Sequence, residues 1–559
     1  MSVARAGPPL AFLMLAAPVA AGLMGAALPA FGWLPALGGK AVSLDAFRSL
    51  AAVPGLWQSA ALSLAAGLMT AALSLGVVFL FAAGWSGTAL FSKIQHLISP
   101  LLAVPHAAAA FGLAFLIAPS GLLMRAISPW LTGFSAPPDW LIVSDGLGLS
   151  MMAGLIVKEV PFLFLVMLAA MSHMPMRESR MLAASLGYGR IAGFLHCAWP
   201  SLYRQIRLPV FAVIAFASSV VDVAAILGPT TPPVLAVRLV EWMNDPDLSM
   251  RFMASAGALL QLSVTVTALA VWIATEKLFG VAAQELCGSG RRLIHDRALR
   301  LTGAAGMALT GLTVFAGLAV LAIWSVAGLW QFPAFLPSVF TLEGWRTVLP
   351  RLAGPMATTL LAGLSASAVA FGVVLALLVE EGQTGRRRPW LDHLIYLPLI
   401  VPQIAFLFGL QWLAASAGWT GSFGALALVH LVFVLPYLYL SLSDPWRSFD
   451  RRYEQAALGM GRSRMAVLWR VRLPMLLRPV LTALAVGFAV SAGLYLPTLL
   501  IGAGRLPTVT TEAVALASGG NRRIIGVHAF LQMALPALGF LVAVAIPGFV
   551  YRNRRGLRA

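Results

Sequence analysis

Charged residues inside apolar stretches are the first candidates for function in this sequence. Lys158 and Glu159 are adjacent in one apolar run, and Asp222 lies late in another, FASSVVDVAAILG. An ionised side chain at the centre of a membrane helix costs roughly 2.5–3.5 kcal/mol on insertion scales, so each of these residues needs a reason. Asp222 could line a solute path or contact a cationic solute, and Lys158 and Glu159 could face a water-filled cavity. Glu512, in the loop sequence TTEAVAL, could belong to a gate or to a contact with another protein.

Structural interpretations of the same residues remain open. Asp222 could cap a helix end or bond a neighbouring helix. Lys158 and Glu159 could pair across helices; being adjacent, they do not face each other on one helix. Glu512 could be a solvated loop carboxylate. The histidines lack metal-ligand spacing and the sequence has no cluster of Cys and His, so we expect no metal site and no cofactor.

A basic segment of the chain occurs twice. Residues 453–474 read YEQAALGMGRSRMAVLWRVRLP, and residues 180–200 read RMLAASLGYGRIAGFLHCAWP. A repeat offset by 274 residues, about half of this chain, predicts two copies of one structural module. In both copies glycine and proline lie 13 residues apart, at Gly461 and Pro474 and at Gly187 and Pro200.

Each copy predicts two short helices joined by a turn. Ala456 and Ala457 form a small-residue face, and Gly461 suits a turn with positive φ. Pro474 suits the first turn of the next membrane helix. A small-residue face flanked by charge favours docking into a groove on another protein. The alternative is an amphipathic helix resting on anionic lipid; two copies with the same spacing favour the docking interpretation.

The composition predicts an all-α membrane protein. The chain has 559 residues, 60% hydrophobic and only 10% charged, with a mean hydropathy of +0.88. That is too little charge to cover a soluble protein of this length. About 12 apolar runs are long enough to span a bilayer, at 10–31, 57–83, 97–118, 147–171, 208–228, 253–275, 301–330, 356–379, 391–413, 423–441, 476–500 and 526–550. We interpret the first run as a retained helix, because it is longer than the apolar part of a signal peptide.

The basic residues predict the orientation. One set of alternate loops holds 26 Lys and Arg and the other holds 10, with Lys158 and Arg478 within or at the edge of spans. The positive-inside rule places both termini and both repeated segments in the cytoplasm. It also accounts for the net charge of +18 without a nucleic-acid partner. We expect a first module at 1–280, a cytoplasmic linker at 281–300 and a second module at 301–559. An even number of helices before the linker makes the modules parallel.

The repeated segment resembles the EAA loop of permease subunits of binding-protein-dependent ABC importers, in which E-A-A is followed by G and then by L-P. The resemblance covers essentially the whole chain as two tandem, parallel, six-helix permease modules. The chain is similar to the fused permeases of ferric-iron, thiamine and polyamine-type importers, and residues 495–520 resemble the YnjC-type branch. The matching positions are Glu454, Ala456, Ala457, Gly461 and Pro474 in the second copy and Ala183, Gly187 and Pro200 in the first. The first copy departs from the pattern, because its Glu position falls on Arg180 or Met181.

The resemblance implies partners and a mechanism. A cytoplasmic ABC ATPase dimer would bind both loops, and its closure on ATP would rock the modules from inward-facing to outward-facing. A periplasmic solute-binding protein would deliver a small solute at the bacterial inner membrane. The chain would then be a transport subunit and not an enzyme. Its sequence contains no G-x-x-x-x-G-K-[ST], so we expect ATP hydrolysis on a partner chain. Membrane lipid is the remaining expected partner.

Two other classes of protein remain alternatives. An ion-gradient-driven secondary transporter often has twelve helices, but it should carry more membrane-buried acids and does not need two matched cytoplasmic docks. A non-transporting membrane scaffold or lipid enzyme would need a clustered polar site, which the sequence does not reveal.

Overall fold

Helices make up nearly all of the described architecture. The computed structural model describes residues 6–386, 388–517 and 519–552. Across these residues the sheet is limited to one antiparallel hairpin, Trp33–Leu34 (β1) and Gly39–Lys40 (β2). The prediction of an all-α membrane protein is confirmed.

The first half of the chain runs from the amino-terminal helix to a very long helix. Its helices are, in order, α1 (Gly7–Ala30), α2 (Asp45–Ala51), α3 (Leu56–Trp85), α4 (Ala89–Ile98), α5 (His106–Ile117), α6 (Leu122–Ile127), α7 (Leu149–Ser172), α8 (Met176–Ser185), α9 (Arg190–Cys197), α10 (Trp199–Ser219), α11 (Asp222–Leu227), α12 (Leu235–Met243) and α13 (Met250–Gly288). Short 3₁₀ turns occur at Pro35–Leu37 and Ser99–Ala103.

The second half has a similar order of helices, with 12 among the described residues where the first half has 13. They are α14 (Arg297–Val326), α15 (Glu343–Thr384), α16 (Pro389–Ile400), α17 (Gln403–Ser416), α18 (Phe423–Arg447), α19 (Arg452–Gly459), α20 (Arg464–Val467), α21 (Leu473–Met475), α22 (Leu477–Gly493), α23 (Leu496–Gly502), α24 (Val509–Ala515) and α25 (Arg522–Val550). A π-helical turn, Leu468–Arg472, joins α20 to α21.

All twelve apolar runs correspond to helices, although not all are simple spans. Nine helical segments in the described ranges are long and apolar enough to cross a membrane, one of them made of α5 and α6 together (His106–Ile127). Two bent pairs bring the number to 11 if each is one span. The bends are 84° between α16 and α17, and 78° between Arg464–Met475 and α22. The remaining run lies in α10 and α11; α10 is less apolar because Arg204 and Arg207 lie in its first half.

Equivalent helices of the two halves begin 274 residues apart. This spacing holds for α7 and α18, for α9 and α20, for α11 and α23, and for α12 and α24. The sequence repeat is therefore also a repeat of structure.

The first helix of each half packs against the other half. In α1, a Cβ atom placed on Gly25 would lie 2.7 Å from the carbonyl oxygen of Gly409 in α17. In α14, a Cβ atom on Gly317 would lie 3.0 Å from the backbone of Gly112 in α5. Small residues permit such close approach, and packing of this kind associates helices in lipid. The buried core of the second half accordingly includes part of α1, and the core of the first half includes part of α14.

The connection between the halves is shorter than its composition indicates. Helix α13 continues to Gly288, well into the stretch 281–300, because residues 281–287 (VAAQELC) are mostly good helix formers. Only residues 289–296 separate α13 from α14, and we call them the linker.

Candidate functional site

The two repeated segments fold into the same helix–turn–helix element. We call residues 176–197 loop 1 and residues 452–472 loop 2. Gly187 and Gly461 occupy the turns with φ of 76° and 77°, as their positions predict, a conformation that glycine adopts without strain. Both first helices end in a Schellman motif, in which the N–H after the glycine reaches back to a helical carbonyl. These bonds run from Tyr188 to Ala183 (3.0 Å) and from Arg462 to Ala457 (3.2 Å).

The alanines of the motif pack inside each element. Ala183 and Ala457 are buried. In loop 1 the second helix crosses so closely that a Cβ atom on Gly193 would lie 2.5 Å from the Cβ of Ala183. Ala456 is exposed. The two alanines of loop 2 therefore do not form one common face as predicted: one stabilises the helix pair and the other faces outward.

Loop 2 is held together by one arginine. Nη1 of Arg472 donates to Oε1 of Glu454 over 2.8 Å, and Nη2 donates to the carbonyl of Trp446 over 2.7 Å. The guanidinium also lies 3.9 Å from the centroid of the Trp446 ring. Glu454 is therefore a partner of Arg472 within loop 2, and the pair fixes loop 2 to the end of α18.

Loop 1 is fixed by different residues. The positions equivalent to Glu454 and Arg472 are Arg180 and Ala198. Nη1 of Arg180 donates to the carbonyl of Ser86 (2.6 Å), and Nη1 of Arg190 donates to the carbonyl of Gly84 (2.7 Å). These carbonyls lie at the end of α3, where helical acceptors lack partners and cations are favoured. Partial burial, together with the nearby Arg300 and Arg180, lowers the pKa of Arg190 below its usual value.

Both loops present apolar side chains outward. In loop 1, Met181 and Leu182 are each 54% exposed; in loop 2, Met460 is 74% exposed. Leu186 and Leu458 are also exposed, next to the two turns. Exposed apolar residues beside arginines suit a surface that another protein covers.

The two motif prolines differ in position. Pro200 lies in the first turn of α10. Pro474 lies in the short helix α21, and the membrane helix α22 begins only at Leu477. The expectation for Pro474 is therefore wrong, because the chain bends after α21 and the whole stretch Arg464–Met475 makes an angle of 78° with α22.

Lys158 and Glu159 are both buried in α7, and their side chains diverge. Nζ of Lys158 donates to the carbonyl of Leu101 over 3.1 Å. Oε1 of Glu159 lies 3.2 Å from Nε2 of His106, the first residue of α5. The Glu159 side chain is 5% exposed and that of His106 is 34% exposed, so the imidazole is the accessible member of the pair.

Asp222 belongs to α11, which packs against α5, the helix that begins at His106. It is buried and begins α11, directly after the break that ends α10. Its carboxylate lies within electrostatic range of His106 and of Tyr495 of the second half. Tyr495 lies in the equivalent break, between α22 and α23. Val221 and Leu494, one from each break, belong to one buried cluster that contains residues of both halves.

Glu512 lies apart from this group. It is half-buried on α24 and interacts electrostatically with His528 on α25. The described contacts do not join it to Glu159 or to Asp222. Of the four candidate path residues, Glu159 thus contacts His106, and Asp222 lies within electrostatic range of it.

His106 was not among the residues selected from the sequence. A signal existed, because Val104-Pro105-His106 corresponds to Val401-Pro402-Gln403, and both triplets open a helix after a break. The offset there is 297 residues, not 274, so the main repeat does not align them. In the described part of the chain, no group of three or more His, Cys, Asp and Glu residues could hold a metal ion.

A chain with two multi-span helical halves, each carrying an exposed helix–turn–helix loop, has the architecture of a membrane permease. Residues 368–553 match the family of binding-protein-dependent transport system inner membrane components. The chain belongs to the permease family of binding-protein-dependent ABC transporters. It is 33% identical over 519 residues to the inner membrane ABC transporter permease protein YnjC of Escherichia coli K12, covering 93% of each chain.

Other relatives match a part of the chain. The molybdenum transport system permease protein ModB of Mycobacterium tuberculosis is 30% identical over 187 residues, which is 31% of this chain and 68% of that protein. The putative 2-aminoethylphosphonate transport system permease protein PhnV of Salmonella typhimurium is 29% identical over 238 residues, 42% of this chain and 87% of that protein. No solved structure matches. The chain is thus a multi-pass inner-membrane permease subunit of an ABC import system, a transport component and not an enzyme.

Proposed function

We propose that loops 1 and 2 dock the two subunits of a cytoplasmic ABC ATPase, which drives uptake of a solute delivered by a periplasmic binding protein. The observation that carries this proposal is the pair of equivalent helix–turn–helix elements, with glycine turns of 76° and 77° and exposed apolar side chains. The modules would comprise residues 1–280 and 301–559, joined through 281–300. Both termini and both loops would face the cytoplasm, as the distribution of basic residues favours.

The docking residues would be those of the repeated motif. Gly187 and Gly461 form the turns, Ala183 and Ala457 pack the helix pairs, Glu454 supports loop 2, and Ala456 faces the partner. Pro200 and Pro474 lie where each loop continues toward a membrane helix.

The loops connect directly to the breaks between the halves. Loop 1 leads into α10, which ends at the break before Asp222; loop 2 leads into α22, which ends at the break at Tyr495. A rigid-body movement of the two loops would therefore reach both breaks, through α10 in the first half and through α21 and α22 in the second. The loops and these helices would form a two-state element, inward-facing or outward-facing, and ATP and the binding protein would both shift its equilibrium.

The solute path would pass His106, Glu159 and Asp222, with Lys158 supporting the wall and Glu512 at a separate position near α25. Two buried carboxylates around one histidine favour a small cationic solute over an anion. The names of the relatives include molybdenum and 2-aminoethylphosphonate, so they do not point to one solute.

The docking proposal is tested by co-purification. The full chain is expressed with candidate ATPases from the same genome, and Gly187→Asp and Gly461→Asp are introduced separately. Each substitution places a strained, charged residue at one turn and should reduce ATPase association. Undiminished association in both variants would remove the docking role.

A proton-driven secondary transporter is the second candidate, because the buried carboxylate of Glu159 is paired with the more accessible imidazole of His106. The partner binding protein is purified, and its bound ligand is identified by mass spectrometry. Uptake of that ligand into vesicles is then followed with ATP held constant while the proton gradient is collapsed. Continued uptake supports the ABC importer, and loss of uptake supports the gradient-driven transporter.

A further inference from the structure

The linker lies directly on loop 1. The N–H of Gly189 donates to the carbonyl of Arg292 over 2.9 Å. A Cβ atom on Gly187 would lie 2.5 Å from Nη1 of Arg292, and one on Gly189 would collide with the carbonyl of Leu293. At the equivalent turn of loop 2, no atom of the described residues comes within 4 Å of a Cβ placed on Gly461.

The linker also supplies a cap that loop 1 lacks. The first N–H groups of a helix have no intrahelical partner and are usually satisfied by a Ser, Thr, Asp or Asn at the N-cap. In loop 2, Ser463 has this role and accepts from the N–H of Ala466 (3.2 Å). The equivalent residue of loop 1 is Gly189, which has no side chain to do so. There Asp296 accepts from the N–H of Ile191 over 2.9 Å.

Asp296 is itself fixed in place. It is 6% exposed, and its Oδ1 lies 3.9 Å from Nη1 of Arg300. The carbonyl of Arg300 accepts from Nε1 of Trp85 over 2.9 Å, and the guanidinium lies 5.2 Å from the centroid of that ring. The start of α14 and the end of α3 thus hold the cap of loop 1 from one side. Met181 and Leu182 remain exposed elsewhere on loop 1.

We propose that the linker is a working part of the first ATPase dock: it positions loop 1 by capping α9 through Asp296 and by covering the Gly187 turn, whereas loop 2 positions itself. The partner is the ATPase subunit at loop 1, so this inference rests on the proposed function. The two docks of the chain are then unequal, and the linker is the cause. Asp296 is a positioning residue, because it acts through α9.

The test compares Asp296→Ala with a matched control, Ser463→Ala, in the full chain in nanodiscs. Hydrogen exchange is measured over residues 190–197 and 464–472. Loss of an N-cap should raise exchange in the affected helix about tenfold. Asp296→Ala should act on 190–197 alone, and Ser463→Ala on 464–472 alone. Asp296→Asn keeps an acceptor oxygen and should raise exchange over residues 190–197 by an intermediate amount. If Asp296→Ala does not accumulate, Asp296→Asn is measured in its place.

A second measurement tests the contact between each loop and the ATPase. A photo-crosslinker at Met181 or at Met460 reports each loop's contact with the co-purified ATPase. Asp296→Ala should at least halve the yield at Met181 and leave the yield at Met460 unchanged. Unaltered exchange in 190–197, or an equal fall at both crosslinking positions, overturns the inference. Absence of crosslinks at both positions in the unsubstituted chain instead overturns the proposed function, and the exchange result still decides the role of the linker.

Discussion

Glu454 and Arg472 form an ion pair of 2.8 Å that closes loop 2. The equivalent positions in loop 1 are Arg180 and Ala198, and there Arg180 donates to the carbonyl of Ser86. Loop 1 thus lacks both the acid and the base of this ion pair. Two loops with the same backbone are held by different side chains, which allows each to be weakened separately.

Removing this ion pair should loosen loop 2 and spare loop 1. Glu454→Ala leaves the partly buried Arg472 without its acid and should cost about 1–3 kcal/mol of local stability. Arg472→Ala should cost more, because it also removes the bond to the Trp446 carbonyl. Hydrogen exchange over residues 464–472 measures the effect. Arg180→Ala is the control and should loosen loop 1 instead; unchanged exchange in Glu454→Ala would contradict the role of the pair.

Alanine at the turn glycines should weaken both loops. The left-handed conformation costs a residue with a Cβ roughly 1–2 kcal/mol, and Gly461→Ala should show this cost alone. Gly187→Ala should show a similar cost, because the atom that its Cβ would meet, Nη1 of Arg292, is the end of a flexible side chain and can move aside. ATPase co-purification is the measurement. Gly385→Ala is the control, because Gly385 has φ of 65° but ends α15 outside both loops. A fall in association with Gly385→Ala as large as with Gly461→Ala would count against a specific role of the turns.

Substitutions around His106 should separate transport from docking. Glu159→Gln and Asp222→Asn remove the two carboxylates and should reduce uptake at least tenfold, while ATPase association stays normal. His106→Gln places in the first half the residue that Gln403 provides in the second, and should reduce uptake less. Uptake and co-purification are measured in parallel, with Glu512→Gln as the control carboxylate. Normal uptake in both Glu159→Gln and Asp222→Asn would exclude them from the path.

A side chain at Gly409 should destabilise the whole permease. Gly409→Leu would force α17 away from Gly22 and Gly25 of α1, and overpacking of this kind typically costs about 1–3 kcal/mol or more. Thermal unfolding in detergent should shift to lower temperature. Gly76→Leu in α3 is the control, since the described residues leave open space within 4 Å of a Cβ there. Equal shifts in the two variants would contradict the close crossing.

The helices and the repeat could be predicted from the sequence because apolar runs and glycine turns are local signals. The break at Pro105 and the bend at Leu476 could not, because Gly and Pro are common inside membrane helices that do continue. The contact of Glu159 with His106 joins α7 to α5, and no local pattern records which helix faces which. The polar sequence 289–296 reads as a connector; its second role becomes visible only when Gly189 is seen to lack the cap that Ser463 provides.

The packing of α1 on α17 has a consequence for biosynthesis. The amino-terminal helix enters the bilayer hundreds of residues before the surface that receives Gly22 and Gly25 has been made. Until then Gly22 and Gly25 lack the helix that they contact in the finished protein. Helix α1 completes the core of the second half, and α14 completes the core of the first. We therefore expect the two halves to reach their final packing together, late in synthesis.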